Sequence, residues 1–316
     1  MTRALVFPGQ GSQAVGMGKE LYDAFPAAKA VFDEVDDALA EDGGEKLSDT
    51  IFNGPEDQLT LTANTQPALM AVSLAAFAVL KDRGFDLASQ AAYVAGHSLG
   101  EYSALAAAGT FSVGDAAKLL RIRGSAMQAA VPVGEGAMAA LLGLDWDAAV
   151  AVAAEVAQGD EVCSAANDNV DGQVVISGAK AAVERAAELA KERGAKRAIM
   201  LPVSAPFHCA LMQPAADAMA EALAAATMNA PVVPVIANVT AAPTTDPDEI
   251  RKLLVEQVTG TVRWRETMLK MVDLGVDQIV EVGAGKVLSG LVRRNPAIEG
   301  CNIGGPDDIE AFLATL

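Results

Sequence analysis

Positive charge is scarce in this chain. It carries 23 Lys and Arg against 41 Asp and Glu, a net charge of −18. That balance argues against nucleic acid as the main partner, because phosphate contacts need a basic surface. The acids are scattered, as on an ordinary solvated surface. An anionic substrate would therefore need a site built from local positive charge. Cysteine is also sparse: Cys163, Cys209 and Cys301 lie far apart, with no CxxC pair. Neither a disulfide framework nor a metal site is expected from them. No apolar run approaches the roughly 18 residues of a spanning helix. The N-terminus lacks the basic, hydrophobic and small-residue pattern of a signal peptide, so a cytoplasmic protein with no membrane partner is expected. Histidine is rarest of all: His97 and His208 are the only two. Any imidazole chemistry is a choice between them.

What is present is ample apolar material. Hydrophobic residues make up 52% of 316 and charged residues 20%, enough for one large domain or two smaller ones. "RALVF" (3–7) reads as a buried strand, followed by a glycine-rich loop and a helix, and Pro26 starts a further helix carrying Phe32, Val35 and Leu39. "NTQPALMAVSLAAFAVLKDRG" (64–84) reads as a helix capped by Asn64 or Thr65, with Pro67 in its first turn and Gly84 at its end. "AAYVA" (91–95) is strand-like, and a long helix covers about 113–130. The character then changes. A strand (136–144), a helix (145–157), two strands paired around "DNVDG", a helix (179–194) and a strand (196–203) follow in turn. This β-α-β-β-α-β order is the ferredoxin-like unit, and it reads as an insertion. Strands at 232–238 and 277–283 and helices around 247–257, 263–274 and 286–294 then resume the larger α/β domain. Strands alternating with helices predict a mainly parallel sheet covered on both faces.

Gly9, Gly11 and Ala14 have the G-x-G-x-x-A spacing of a dinucleotide-binding turn. That turn should lead through a helix to a second strand ending in an acid about 20 residues on. Asp33 and Glu34 lie at that distance but inside the helical "VFDEVDDALA", so the NAD reading fails on context. "GAGKV" (283–287) is not a phosphate loop either, because Val280 stands where the first glycine should be and Val287 replaces Ser or Thr.

Gly96-His97-Ser98-Leu99-Gly100 is G-x-S-x-G between an apolar strand and a helix, the context of a nucleophile elbow. The following helix aims backbone N–H groups at the reacting centre. A serine nucleophile needs a base. His97 adjoins Ser98 on a sharp turn, so its side chain should leave in another direction and pack structurally. His208, in a loop after a strand, is the remaining imidazole. No acid declares itself as a third triad member, and a backbone or amide carbonyl could orient His208 instead. The milder base that results suits a thiolate leaving group, since thiols ionise near pH 8.5. On the helix around 113–130, Leu119, Leu120, Ile122, Ala126, Met127 and Ala130 share one broad face with Arg123 in its middle, while Arg121 points towards solvent. A guanidinium on an apolar face needs an anionic partner. A structural ion pair and a clamp for a substrate carboxylate both satisfy that need.

Together these pieces resemble the malonyl-CoA:acyl carrier protein transacylase family of fatty-acid synthesis, related to polyketide synthase acyltransferase domains. The matching stretches are "FPGQGSQ" (7–13), "TQPAL" (65–69), "GHSLGEYSAL" (96–105), "RIRGSAMQ" (121–128), "GAMAALLGL" (136–144), "GQVVISG" (172–178), "PVSAPFHCALM" (202–212), "NAPVVPVIANV" (229–239) and "EVGAGKVLSGL" (281–291). "GAGK" departs from the Gly-Pro-Gly of many relatives. The resemblance implies an α/β-hydrolase-like core (1–130 and 204–316) with a mainly parallel sheet and an inserted ferredoxin-like subdomain (131–203). It implies that Ser98 carries the malonyl group, that His208 is the general base, and that the N–H groups of Gln10 and Leu99 form the oxyanion hole. Arg123 would bind the malonyl carboxylate, the main-chain carbonyl of Gln257 would orient His208, and Phe207 would crowd an α-methyl group. Malonyl-CoA is then a substrate, acyl carrier protein the partner, no cofactor is needed, and a monomer is expected. Readings kept beside this one are an acyl-thioester hydrolase using the same Ser98 and His208, a discrete polyketide acyltransferase, and a carrier-binding subunit without activity, against which the intact Ser98, His208 and Arg123 argue.

Overall fold

The computed structural model describes residues 1–40, 45–159, 161–294 and 297–316. Ten strands form two sheets among these residues: β1 (Arg3–Phe7), β2 (Tyr93–Gly96), β3 (Gly136–Leu142), β4 (Cys163–Val170), β5 (Gln173–Ala179), β6 (Arg197–Met200), β7 (Val235–Ile236), β8 (Pro243–Thr244), β9 (Gln278–Val282) and β10 (Glu299–Ile303). The larger sheet has the order β10-β9-β1-β2-β7-β8 and is parallel except at the β7–β8 edge. β1 lies inside it, and its Ala4–Phe7 are wholly buried, as expected of a strand covered on both faces and therefore continuously apolar. Its register aligns Phe7 with Gly96 of β2. The loops that leave these two strands therefore emerge side by side at the carboxyl edge, where open parallel sheets bind their ligands.

The second sheet is antiparallel with the order β4-β5-β3-β6. With the helices Trp146–Val156 and Lys180–Glu192 it completes the ferredoxin-like unit that the element order predicts. Period-two alternation divides β3 between two cores. Ala137, Ala139 and Leu141 pack with the helices' small side chains, among them Ala149, Val152 and Ala186. Met138 faces the core of the larger unit, as does Val175 of β5. β4 is tied to the larger unit by a bridge from Asn167 to Val262 and by Asp168, which is buried and paired with Arg265 at 2.9 Å.

Several sequence expectations are corrected. The helix predicted at 64–84 spans Thr62–Asp82. Neither Asn64 nor Thr65 caps it: their side chains donate to the carbonyls of Gln58 and Leu59, and Pro67 lies inside the helix. By length and composition this helix is apolar enough to cross a membrane, with a mean hydropathy of 1.4 over an 18-residue window, although 83% of that window is buried in protein. It exceeds the expected apolar run because it is enclosed on all sides by other elements. The strand predicted at 196–203 ends at Met200, before Pro202, and the one predicted at 232–238 shrinks to two residues after Pro234. β10 and the helix Pro306–Leu313 are not anticipated. β10 is an edge strand of small and polar residues (EGCNI), half exposed and without period-two contrast.

The approach of β1 and β2 depends on glycine. A Cβ on Gly100 would sit 2.2 Å from the Phe7 carbonyl oxygen, and one on Gly9 would sit 2.6 Å from the His97 carbonyl oxygen. Gly100→Ala should therefore destabilise the fold by about 3 kcal/mol or more, since backbone and not a flexible side chain would have to move. Gly290→Ala, in a helix with open space around the added methyl, should stabilise by about 0.5–1 kcal/mol. Denaturant midpoints of the two variants check the contrast, and an unchanged midpoint for Gly100→Ala would show that the loop yields.

Candidate active site

Ser98 leaves β2 on a turn whose backbone has φ 53°, a left-handed conformation that a non-glycine residue holds only at a cost of about 1–3 kcal/mol. Only glycine fits at its flanks: a Cβ on Gly96 would overlap the Gly100 carbonyl at 1.9 Å. The Ser98 N–H is held by Asn238 Oδ1 at 2.7 Å, and Asn238 Nδ2 donates to the Gly96 carbonyl at 2.7 Å. Asn238 follows β7, the strand beside β2, so one amide clamps both ends of the turn.

His208 also has a positive φ of 59°. Its Nε2 lies 2.8 Å from Ser98 Oγ, and its Nδ1 lies 2.8 Å from the Gln257 carbonyl oxygen. A carbonyl can only accept. Nδ1 therefore carries the proton and donates, leaving Nε2 bare to accept from the serine hydroxyl. Burial, and next the charge of Arg123, push the His208 pKa down to about 3. The imidazole is thus a neutral base in the resting protein. His97 turns away from Ser98, as expected. Its Nε2 is 2.8 Å from Asn169 Oδ1 of β4, its ring is 5.6 Å from that of Trp264, and burial lowers its pKa as well.

Arg123 is buried, with 1% of its surface exposed, in the helix Val113–Ala129. Nη1 donates to Gln66 Oε1 at 2.7 Å, and Nη2 donates to Gln257 Oε1 at 2.8 Å and to Ser98 Oγ at 3.1 Å. All three acceptors are neutral. Among the described residues no carboxylate oxygen lies within 4.0 Å of the guanidinium, and Nε has no partner. The structural ion pair is thus absent there. Two details of this helix differ from expectation. Ile122 is 41% exposed and so falls off the apolar face. Arg121 is half-buried and bonded to Asn64 instead of extending into solvent.

The remaining predicted residues converge on the same place. Gln10, Ser98, Leu99, Arg123, Phe207 and His208 all line one cavity of about 260 Å³, to which Met138 and Val175 of the second sheet also contribute. The N–H groups of Gln10 and Leu99 have no acceptor among the described residues. The Gln10 side chain accepts from Thr62 Oγ1 at 2.9 Å, and Thr62 in turn accepts from Gln66 Nε2 at 3.2 Å. That chain of side chains links Gln10 to Arg123.

Sequence reasoning missed Gln66, Glu101, Asn238, Asn169 and the side-chain amide of Gln257. Gln66, Glu101 and Asn238 stand inside three of the quoted stretches, "TQPAL", "GHSLGEYSAL" and "NAPVVPVIANV", and a lone acid in the small, apolar helix after the elbow was the available signal for Glu101. Glu101 Oε2 accepts from Gln257 Nε2 at 2.8 Å and from the Asn238 N–H at 3.0 Å. Burial pushes its pKa up to about 7, against the pull of Gln257, Asn238 and Arg123.

A serine on a strained strand–helix turn, bonded to a neutral histidine, defines an acyl-transferring α/β protein. The acyl transferase domain model matches residues 4–296, and the chain belongs to that family. Within it the chain groups with the malonyl CoA-acyl carrier protein transacylases. It is 48% identical over 314 residues to that of Bacillus subtilis (strain 168), covering 99% of this chain and 96% of the relative. The crystal structure of the acyl-carrier-protein S-malonyltransferase from Bartonella henselae superposes with a TM-score of 0.96 at 57% identity, covering 100% and 99% of the two chains. A malonyl-transacylase solved in complex with its type II PKS acyl-carrier protein superposes with a TM-score of 0.95 at 42% identity, covering 100% of both.

The rarity of histidine makes the site's electrostatics directly measurable. Both imidazoles are held below the value of about 6.5 that they have in the unfolded chain. Below that pH the unfolded chain takes up protons that the folded chain refuses, so the two residues subtract stability as pH falls from 6.5 towards about 3, where His208 titrates. Nitrogen NMR of the histidine-labelled protein should show the His208 ring neutral throughout about pH 5.5 to 8 and the His97 ring titrating below the usual value of about 6.5. A ring titrating near 6.5 would contradict the buried, cation-adjacent placement of His208.

Proposed function

We propose that Ser98 is the nucleophile, His208 the general base, Gln10 and Leu99 the oxyanion donors and Arg123 the carboxylate site of a malonyl transfer. The enzyme is a malonyl-CoA:acyl carrier protein S-malonyltransferase of fatty-acid synthesis, with malonyl-CoA as substrate and acyl carrier protein as partner. The observation that carries the residue assignment is the buried Arg123, 3.1 Å from Ser98 Oγ, with only neutral acceptors. In malonyl thioesters one methylene separates the carboxylate from the carbonyl under attack, so a cation beside the nucleophile matches malonyl and has no partner in acetyl.

The cycle runs in two halves. Malonyl-CoA enters with its carboxylate on Arg123. The Ser98 hydroxyl proton passes to His208 Nε2 as Oγ bonds to the thioester carbon. The oxyanion faces the N–H groups of Gln10 and Leu99, each contributing about 3–4 kcal/mol if it acts like other oxyanion donors. The C–S bond breaks, the CoA sulfur takes the proton from Nε2, and malonyl-Ser98 remains. The phosphopantetheine thiol then gives its proton to Nε2, attacks the ester carbonyl and leaves as malonyl carrier, with the proton returned to Ser98. The Gln257 carbonyl supports the transient imidazolium on Nδ1, which is the task of the acid in a conventional triad.

The reading treats 1–130 and 204–316 as the catalytic core and 131–203 as an inserted subdomain that lends Met138 and Val175 to the acyl cavity. It includes a cytoplasmic location, supported by the likeness to bacterial transacylases. Phe207, at the cavity wall, is assigned to exclude an α-methyl branch.

Intact-mass measurement after mixing with malonyl-, methylmalonyl- and acetyl-CoA, followed by addition of carrier protein, tests the whole assignment. Malonyl should appear on the wild-type enzyme and leave when carrier is added. Loss to water at the same rate without carrier would favour a hydrolase. Ser98→Ala should carry no acyl group, and serine-linked malonyl in that variant would place the nucleophile elsewhere. Arg123→Ala should lower kcat/KM for malonyl-CoA by about 100-fold, as for a lost charge-assisted pair, and alter that for acetyl-CoA far less. Equal losses for both substrates would make Arg123 structural.

A further inference from the structure

The buried charges around Ser98 raise a question that the transfer mechanism leaves open. Arg123 is a buried cation and Glu101 is a buried acid on the helix that starts after the nucleophile. The two groups feel each other electrostatically. A glutamate brought into contact with a guanidinium this deep would ionise and pair with it strongly, because little water screens the two. Yet no carboxylate oxygen lies within 4.0 Å of the guanidinium among the described residues. The side chain of Gln257 occupies the place between them. Its Oε1 accepts from Arg123 Nη2 at 2.8 Å, and its Nε2 donates to Glu101 Oε2 at 2.8 Å and to the Ser98 carbonyl at 3.0 Å.

The chemistry of the partners allows this amide only one orientation. A guanidinium can only donate, and a main-chain carbonyl can only accept. A flipped amide would set N–H against N–H at Arg123 and oxygen against oxygen at Ser98. The amide is wholly buried, so neither clash could be relieved by water. A neutral amide can satisfy the N–H of a guanidinium without cancelling its charge. Gln66 does the same on the other side, accepting from Nη1 at 2.7 Å. Were Arg123 and Glu101 to touch, an incoming carboxylate would have to displace an intramolecular one already held at high effective concentration.

We infer that the Gln257 side chain is a specificity-determining spacer: it binds Arg123 at one end and Glu101 at the other, keeps the two from pairing, and so reserves the guanidinium for the substrate's carboxylate. This rests on Arg123 as the carboxylate site proposed above. It is separate from the role of the Gln257 main-chain carbonyl at His208, which any residue at this position would retain.

Gln257→Ala removes all three hydrogen bonds and the side chain that separates the two groups, and keeps the main-chain carbonyl. Arg123 should then close onto Glu101. KM for malonyl-CoA should rise by about 30-fold or more, and this loss should exceed by about tenfold any change in kcat/KM for acetyl-CoA, which makes no use of the guanidinium. Adding Glu101→Gln to that variant should restore most of the malonyl loss, because the competing carboxylate is gone. Gln257→Ser, alone and with Glu101→Gln, serves in the same way if the alanine variant does not fold. Equal losses for the two acyl groups, or a double variant worse than the single, would overturn the inference. Arg123→Ala separates the two levels. If it keeps the malonyl preference, the carboxylate site itself is misassigned and the spacer falls with it. If it loses that preference while Glu101→Gln rescues nothing, the spacer alone is wrong.

Discussion

A guanidinium buried against neutral acceptors is the constraint around which this site is organised. Arg123 would be costly to bury alone, and the fold supplies it with two amide oxygens and a hydroxyl. Each of those acceptors has a second commitment. Gln66 reaches through Thr62 to Gln10. Gln257 holds the Ser98 carbonyl and Glu101, and through its own main chain it holds His208. Ser98 itself bonds both Arg123 and His208. Ser98, His208, the Gln10 side chain and Arg123, the residues proposed to carry the transfer, are therefore parts of one hydrogen-bonded cluster. Such a cluster is rigid when every member is satisfied and costly to disturb at any one point. The same cation helps to keep His208 neutral, so in the proposed mechanism charge recognition and base strength have a common source.

The sheet provides the platform. Pairing of β1 with β2 in a register that aligns Phe7 with Gly96 brings the Gln10 loop and the Ser98 turn out together. Gly9 and Gly100 permit backbone to meet backbone at that edge. In the proposed mechanism the loop whose spacing imitates a dinucleotide turn shares its physical device, bare backbone brought close to negative charge, with a different chemistry. The inserted sheet serves the site from above. Its β3 sends alternate residues to its own helices and to the larger core, and Met138 of the second set reaches the cavity.

How legible this was in the sequence varies with the physics. The elbow around Ser98 is local: strand, small flanking residues and helix follow one another within ten positions, so its outline could be read directly. Arg123 on an apolar helical face is likewise a local pattern, and its burial agrees with it. Ile122 and Arg121 show the limit of that pattern, since helical phase ranks faces but the neighbours decide which are covered. The helix Thr62–Asp82 reads in sequence as one capped at Asn64 or Thr65, whereas in the structure it starts at Thr62 and those two side chains bond Gln58 and Leu59 instead. β10 carries no periodic signal because it sits at an edge, half wet.

By itself the sequence determined the α/β alternation, the ferredoxin-like order of the insertion, the elbow serine, and the choice of His208 by scarcity. These are properties of neighbouring residues or of counting. Only the tertiary structure decided what Arg123 faces. Residues 66, 123, 208 and 257 and the elbow that holds 98 and 101 lie on separate segments, and their convergence depends on strand order and on side-chain packing that no spacing encodes. A buried arginine announces that an anion is wanted. In the proposed mechanism the substrate supplies it, because one amide, Gln257, stands between the guanidinium and the glutamate that could have neutralised it.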